Sequence, residues 1–482
     1  MKKARVLVYD VGTSSLKLVL YDREGLVLEQ RSIPYDYQTP NPDWAEIDPA
    51  VWADALFAGL GVFAEKGLLS ELEAISGTGQ MHSGVLLDAE GRALNPCILW
   101  LDRRAEQETL ELNEMFRLPP FMLNTTYTLS KLFWLKKHMP EILSAAKHLI
   151  LPKDYLRYLL TGVIATDATE GVGAALLNWS TGLWAKERLE RIGIDPSILP
   201  EILPADAEAG SILPEVAQRF GIPSDVKIFT GYGDMVALLG GAPHAPGRLV
   251  YSLGTSSMFF TLINEANKTA AENSLYTLTL NGIHLFGGVS STTGASQMWF
   301  YENIYGQGTL DEMVEDAWTV PPGCTGLVFL PYLAGERSPY WSDRISGGFY
   351  GARLQHDKKH FARAMLEGVA YSIKHMIELY EESGVPIREI ALAAGGVKTK
   401  GWPQLISDVT GLPVAIYAGQ DTVTKVVHAM CASRLDGSGF NEALLQSFGE
   451  PKRLSPDAAH REEYDRSYRR YRRFSSFAAQ CD

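Results

Sequence analysis

The chain is poor in cysteine, in positive charge and in long apolar runs, and each shortage excludes a class of protein. Its four cysteines stand far apart, at Cys97, Cys324, Cys431 and Cys481. No two approach the spacing of a zinc site or a CxxC pair, and no dense framework points to a disulfide scaffold. Reduced thiols in a cytoplasmic protein are therefore expected. Lys and Arg total 44 against 57 Asp and Glu, a formal charge of −13. A field of that sign opposes nucleic-acid binding. It leaves room for an anionic substrate held by backbone N–H groups. No apolar stretch approaches the roughly 20 residues of a membrane span. The apolar run after Arg5 stops at Asp10, too short for a secretory signal. Small molecules, and neither nucleic acid nor membrane, are thus the expected partners. Two nucleotide signatures are missing as well: there is no Gx4GK[ST] segment, and no GxGxxG follows the first strand.

What is present is an ordinary globular composition, 46% hydrophobic and 21% charged over 482 residues. That length suits two large domains. Two segments resemble one another. Val6–Val11 runs into Gly12-Thr13-Ser14-Ser15 and then Leu16–Asp22; Arg248–Leu253 runs into Gly254-Thr255-Ser256-Ser257 and then Met258–Leu262. Each reads as strand, turn, strand. The repeat predicts two domains of similar build, with a boundary near residue 245 marked by Pro243, Pro246 and Gly247, hence 1–244 and 245–482. Strands alternate with helices, among them Pro49–Lys66 capped by Asp48 and a long one over His356–Ser383. The class is α/β, and the paired hairpins predict mixed sheets rather than purely parallel ones.

Several residues could carry chemistry. Asp10 ends the first strand, where a carboxylate can serve a magnesium ion through water. Thr13, Ser14 and Lys17 follow a glycine that lets backbone approach an anion. Gly254 and Thr255 repeat that loop, so that two loops could clasp a polyphosphate. Gly395, Gly396 and Thr399 follow an apolar strand and permit close approach of a flat ring or phosphate. Taken singly, each is also good turn chemistry. Asp234, after Gly231-Tyr232-Gly233, could accept a proton from a substrate hydroxyl, or be a solvated turn aspartate. Gln80-Met81-His82 and Trp100-Leu101-Asp102 form a polar set with an apolar face, suited to sugar hydroxyls; a satisfied core histidine and a helix-start aspartate explain His82 and Asp102 equally well.

In this order the pieces resemble the FGGY family of carbohydrate kinases, and within it the xylulokinase group. Besides both Gly-Thr-Ser-Ser loops, Thr128-x-x-Lys131-Leu132-x-Trp134-Leu135 and Gly347–Gly351, with His360-Phe361-x-x-Ala364-Met365-Leu366-Glu367 following, are similar to the family signatures. The resemblance runs from Asp10 to about Gly437. It implies two actin-like (ribonuclease-H-like) ATPase domains with mixed sheets flanking an interdomain cleft, the first binding sugar and the second nucleotide. It implies a kinase that moves a phosphoryl group from ATP, with Mg²⁺, to a primary hydroxyl of a ketopentose, D-xylulose giving D-xylulose 5-phosphate. Asp10 would serve the metal. Thr13, Ser14, Lys17, Gly254 and Thr255 would meet the phosphates, and Gly395, Gly396 and Thr399 the nucleoside side. Met81, His82, Trp100 and Asp102 would contact the sugar, with Asp234 as base. The alternatives are a kinase for gluconate or another ketose, and a non-catalytic nucleotide- or sugar-binding regulator. Relatives are often dimers, so the resemblance points by analogy to a homodimer. The sequence departs from the family pattern at Ala394, where a third glycine is usual, at Thr399, at Leu101, and along Asp421–His428, where Val426 replaces a small residue.

Overall fold

The computed structural model describes residues 5–117, 123–178, 181–239, 242–264, 274–280, 283–306, 308–342, 344–417 and 422–480. The chain divides into two compact units. The first comprises Met1–Gly240, Thr279–Asn281 and Asp421–Gly449; the second comprises Gly241–Leu278, Gly282–Gln420 and Glu450–Asp482.

In the first unit, β1 (Arg5–Val11) is apolar along nearly its whole length and buried on both faces. That is the pattern of a central strand. It pairs antiparallel with β2 (Ser15–Asp22) and parallel with β4 (Leu72–Gly79). β3 (Val27–Pro34), polar and largely exposed, forms one edge, and β5 (Lys227–Ile228) the other, giving the order β5-β4-β1-β2-β3. Helix α1 (Pro49–Glu65) starts where Asp48 accepts the Ala50 N–H at 2.9 Å, with Pro49 at its first position. Its buried Trp52, Leu56, Leu60 and Phe63 share a core with Leu7, Tyr9 and Leu18 of the sheet. Gly59 lets it approach closely: a Cβ there would stand 2.6 Å from Leu18 Cδ1. The opposite face is covered by α5 (Thr422–Asp436), whose Val427, Met430 and Cys431 bury with Val6, Val8, Val19 and Ala74.

The second unit repeats the plan. β6 (Arg248–Ser252) pairs antiparallel with β7 (Ser257–Ile263) and parallel with β10 (Glu389–Ala393). With β8 (Tyr276–Leu280), β9 (Ile283–Ser290), β11 (Val414–Ile416) and β12 (Lys452–Leu454) the order is β8-β9-β7-β6-β10-β11-β12. The run β9-β7-β6-β10-β11 matches β3-β2-β1-β4-β5 strand for strand, with the same pairing senses around the hairpin, as the repeated Gly-Thr-Ser-Ser segments predict. Helix α4 (Lys358–Glu382), capped by Asp357, is the long central helix; its Met365, Leu366, Val369 and Tyr380 are buried. The tail forms α6 (Arg461–Ala478), with Tyr464, Tyr468 and Tyr471 buried at helical spacing and arginines outward. Among the described residues, no helix is long and apolar enough to cross a membrane, and Cys97, Cys324 and Cys431 are buried free thiols.

Candidate active site

The β1–β2 turn is tight because Gly12 donates its N–H to Ser15 O at 3.0 Å, and a Cβ on Gly12 would lie 3.0 Å from that same oxygen. Asp10 stands opposite Lys17 across the hairpin and beside Thr78 of β4. The Gly12 carbonyl accepts from the Tyr35 hydroxyl at 2.7 Å and from the Gln80 amide at 2.9 Å. Burial, with the Asp10 charge nearby, pushes the Tyr35 phenol well above its ordinary range, so it stays a donor. Ser14 is exposed at the tip, and its carbonyl accepts the Tyr35 N–H at 3.0 Å. Trp100 donates its indole N–H to Thr13 Oγ1 at 2.9 Å, while its backbone N–H goes to Ser83 Oγ at 3.0 Å. The glycine turn and the Gln80–Ser83 loop are thus one hydrogen-bonded assembly.

Within that loop Met81 is buried, and His82 adopts φ +70°. A non-glycine residue there costs about 1–3 kcal/mol and needs outside support. The support is visible: the His82 carbonyl accepts from Thr128 Oγ1 at 2.9 Å and from Lys131 Nζ at 3.0 Å, and its Nδ1 meets Gly173 O at 2.5 Å. The ring lies edge-on to Tyr127 at 5.0 Å. Lys131, visible in the sequence only as part of a signature, is a buried amine whose pKa burial pushes down to about 7.

Trp100 and Asp102 turn opposite ways. Trp100 is 39% exposed, whereas Asp102 is 1% exposed. The Asp102 carboxylate accepts the Ala45 N–H at 2.6 Å and the Arg104 N–H at 2.8 Å, and it pairs with the Arg104 guanidinium at 2.8 Å. Arg104 in turn pairs with Glu46 and lies 3.7 Å over the Trp44 ring. Asp102 therefore faces inward and braces the segment that presents Trp100.

Asp234 opens a short helix, α3 (Asp234–Leu239), directly after Gly231-Tyr232-Gly233. Gly231 has φ +84°, and a Cβ there would fall 2.0 Å from Gly77 O at the end of β4; no other residue fits. A Cβ on Gly233 would lie 2.7 Å from Met81 Cγ. Met81 and the residue preceding Asp234 are therefore in contact. Beneath this loop lies a fully buried charged cluster that no motif announces. Lys153 Nζ lies 2.7 Å from Asp154 and 3.0 Å from Asp167, with Arg157 3.3 Å from Asp154. Glu170, beside them, has neither oxygen hydrogen-bonded among the described residues. Burial pushes its carboxyl well up, against the lowering pull of Lys153.

In the second unit the other expected residues also converge. Gly254 O accepts the Gly294 N–H at 2.7 Å, and Thr255 O accepts the Thr293 and Ala295 N–H groups at 2.9 and 3.1 Å. Gly396 donates to Leu253 O at 2.8 Å, which sets the Gly395-Gly396 turn against the start of the Gly254 loop. Thr399 Oγ1 donates to Gln297 Oε1 at 3.2 Å. The Gln297 amide nitrogen, buried and unpartnered among the described residues, is a polar group that the motifs did not disclose. Ala394 has φ +70°, the left-handed region that favours glycine. The departure from a three-glycine run thus falls where it strains the backbone.

Each unit carries one glycine turn where backbone can approach phosphate oxygens, and the first unit also sets a carboxylate, able to take a proton from a hydroxyl, beside a polar loop. Among the described residues no group of three His, Cys, Asp or Glu side chains could cage a metal. The single carboxylate at Asp10 suits a magnesium ion held largely by nucleotide oxygens and water.

A model of the FGGY family of carbohydrate kinases, N-terminal domain, matches residues 5–240, and one of the C-terminal domain matches residues 249–425. A xylulose kinase of Lactococcus lactis is 32% identical over 84% of this chain and 82% of its own. Two solved structures from Lactobacillus acidophilus, each 26% identical and covering 99% of this chain and 98% of their own, superpose at TM-scores of 0.89 for a gluconate kinase and 0.88 for a ligand-bound xylulose kinase. With both domain models matched in order over most of its length, the chain belongs to the FGGY family of carbohydrate kinases.

Proposed function

We propose that the protein is a cytoplasmic xylulokinase, which transfers the γ-phosphoryl group of ATP to the O5 hydroxyl of D-xylulose. The observation that carries this reading is the contact between the Met81-His82 loop and the Gly231–Asp234 loop, which sets a polar sugar-type loop beside a carboxylate. The similarity to the Lactococcus lactis xylulose kinase supports the substrate. Asp234 takes the hydroxyl proton as that oxygen bonds to the γ-phosphorus and the bond to the β,γ-bridging oxygen breaks, leaving ADP. Met81, His82 and Trp100 contact the sugar, and Asp102 acts through the segment it braces. Backbone N–H groups near Thr13 and Ser14, with Lys17, and near Gly254 and Thr255 stabilise charge on the phosphate oxygens, the main demand of such a transfer. Gly395, Gly396 and Thr399 receive the nucleoside. Asp10 would hold magnesium, which supplies charge neutralisation on the phosphates when bound.

A second reading, gluconate as acceptor, is favoured by the equally close gluconate kinase structure and by Leu101, which stands between Trp100 and Asp102. One experiment separates them: sugar-dependent ADP release from MgATP with D-xylulose, other ketopentoses, gluconate, glycerol and no sugar, with Asp234→Asn alongside. Release with D-xylulose, lost by about 10²–10⁴-fold in the variant, is expected of a positioned base. Release with gluconate alone moves the substrate. Wild-type turnover in Asp234→Asn removes Asp234 as base.

A further inference from the structure

Met81, His82 and Asp234 come from distant parts of the sequence, yet one six-residue helix touches Met81, His82 and the residue before Asp234. This helix, α2 (Ala168–Gly173), starts where Asp167 accepts the Thr169 N–H at 2.8 Å. At its first turn, Thr169 Oγ1 accepts the Gly233 N–H at 2.8 Å, one residue before Asp234. At its last residue, Gly173 O meets His82 Nδ1 at 2.5 Å. A Cβ on Gly173 would stand 2.7 Å from Met81 Cε, so Met81 is clasped between Gly173 and Gly233. Thr169 is 2% exposed. Its hydroxyl is thus a buried acceptor aimed at the loop that carries Asp234. The same loop is also held further back, where the Gly231 N–H goes to Ala205 O at 2.8 Å, the Thr230 N–H and hydroxyl go to Ala207 O at 3.0 and 3.2 Å, and Lys153 Nζ, which also pairs with Asp167, the cap of α2, reaches Thr230 O at 3.4 Å. Of these holds, the one on Gly233 is the nearest in sequence to the carboxylate.

We propose that Thr169 is a positioning residue for catalysis: its hydroxyl fixes the Gly233 N–H and thereby the start of α3, so that the Asp234 carboxylate is pre-set against the substrate hydroxyl. This rests on the reading of Asp234 as the base. The physical case is that a buried N–H left without an acceptor is costly, so the loop moves to find water. A shift of order 1 Å in a reacting group is enough to lose about 10²-fold in rate. Sugar affinity is less exposed to the change, because Met81 and His82 keep their own supports.

The test is a set of five variants, Asp234→Asn among them, assayed for kcat, for KM of each substrate and for thermal midpoint. Thr169→Val keeps the shape and removes the acceptor; it is expected to lower kcat by about 10- to 100-fold, with both KM values within about threefold. Thr169→Ser keeps the hydroxyl and is expected to restore kcat to within about threefold of wild type. Thr169→Ala serves if the valine methyl prevents folding. The deciding comparison is Thr169→Val combined with Asp234→Asn, which is expected to turn over no more slowly than Asp234→Asn alone, since the positioned group is already gone. A further fall of tenfold or more in the double variant, or wild-type kcat in Thr169→Val while Asp234→Asn is dead, overturns the positioning role and leaves Asp234 as base. Wild-type kcat in Asp234→Asn overturns the base assignment itself and the positioning role with it.

Discussion

The Trp100 indole N–H is bonded to the Thr13 hydroxyl at 2.9 Å, across 87 residues of sequence. One hydrogen bond thereby joins the proposed phosphate turn to the proposed sugar loop. Trp100→Phe keeps an aromatic face for the sugar and deletes the bond. A partly exposed bond of this kind is worth about 1 kcal/mol, or roughly fivefold in an equilibrium constant. The ATP KM is expected to rise by about that factor, with the sugar KM changing less than twofold, in two-substrate steady-state kinetics. An unchanged ATP KM would show that the Thr13 hydroxyl needs no partner to do its work.

Much of this was legible in the sequence because local chemistry announced it. The two Gly-Thr-Ser-Ser turns, Asp48-Pro49 before α1 and the long helix behind Asp357 are decided by residues a few positions apart. Three things were not legible, each for a reason of distance. The helix Thr422–Asp436 buries Val427 and Met430 against Val6 and Val8; its apolar residues are visible in sequence, but not which sheet they cover. Asp102 has the composition of a ligand contact, and only the Arg104 and Ala45 bonds reveal it as a brace. Thr169, Glu170 and Lys153 belong to no motif, and they matter only through where the chain returns.

Lys131 gives the first unit a pH signature. Its amine donates to the His82 and Thr126 carbonyls at 3.0 and 2.8 Å, two bonds that a neutral amine can make. Burial lowers its pKa from 10.5 to about 7, with Cys97 and Asp102 raising it and Arg104 and Arg103 lowering it further. The folded value lies below the unfolded one, so between those limits the unfolded chain binds more protons and stability rises with pH. This contribution is full above the unfolded value and is lost as pH falls to about 7. The slope is at most about 1.4 kcal/mol per pH unit. The urea midpoint of the wild type is therefore expected to gain on that of Lys131→Met between pH 7 and pH 9. Parallel curves would mean that the buried amine does not titrate there.

The Gly395-Gly396 turn separates fold from ligand. A Cβ on Gly396 would lie 2.5 Å from Leu253 Cγ and 2.7 Å from Leu253 O, whereas one on Gly395 meets nothing within 4 Å. Gly396→Ala is expected to displace the turn, lower the thermal midpoint and raise the ATP KM about tenfold. Gly395→Ala is expected to leave the midpoint unchanged and still weaken ATP, because the added methyl faces open space where the nucleoside is proposed to lie. Both should leave the sugar KM within twofold. Wild-type ATP affinity in Gly395→Ala would place the nucleoside elsewhere.

Glu336 gives the second unit the opposite pH signature. Its Oε1 accepts the Ser291 and Arg337 N–H groups at 2.7 and 2.9 Å, and its Oε2 accepts the Ser290 hydroxyl at 3.1 Å. These bonds hold the end of β9, four residues before Gly294, whose N–H is bonded to Gly254 O. Burial outweighs them and raises the carboxyl from 4.5 to about 7. The folded value lies above the unfolded one, so the contribution is full below the unfolded value and is lost as pH rises to about 7. In that window stability falls by at most about 1.4 kcal/mol per pH unit. Glu336→Gln can keep every contact: the amide oxygen takes both N–H groups, and the amide nitrogen donates to Ser290 Oγ once that hydroxyl turns round. The variant is expected to fold, to retain ATP affinity within about threefold, and to lose this part of the pH dependence, so that it overtakes the wild type in thermal midpoint as pH rises from 5 to 7. An isosteric amide that cost stability equally across that range would show the carboxyl to be ionised throughout, with the three donors prevailing over burial.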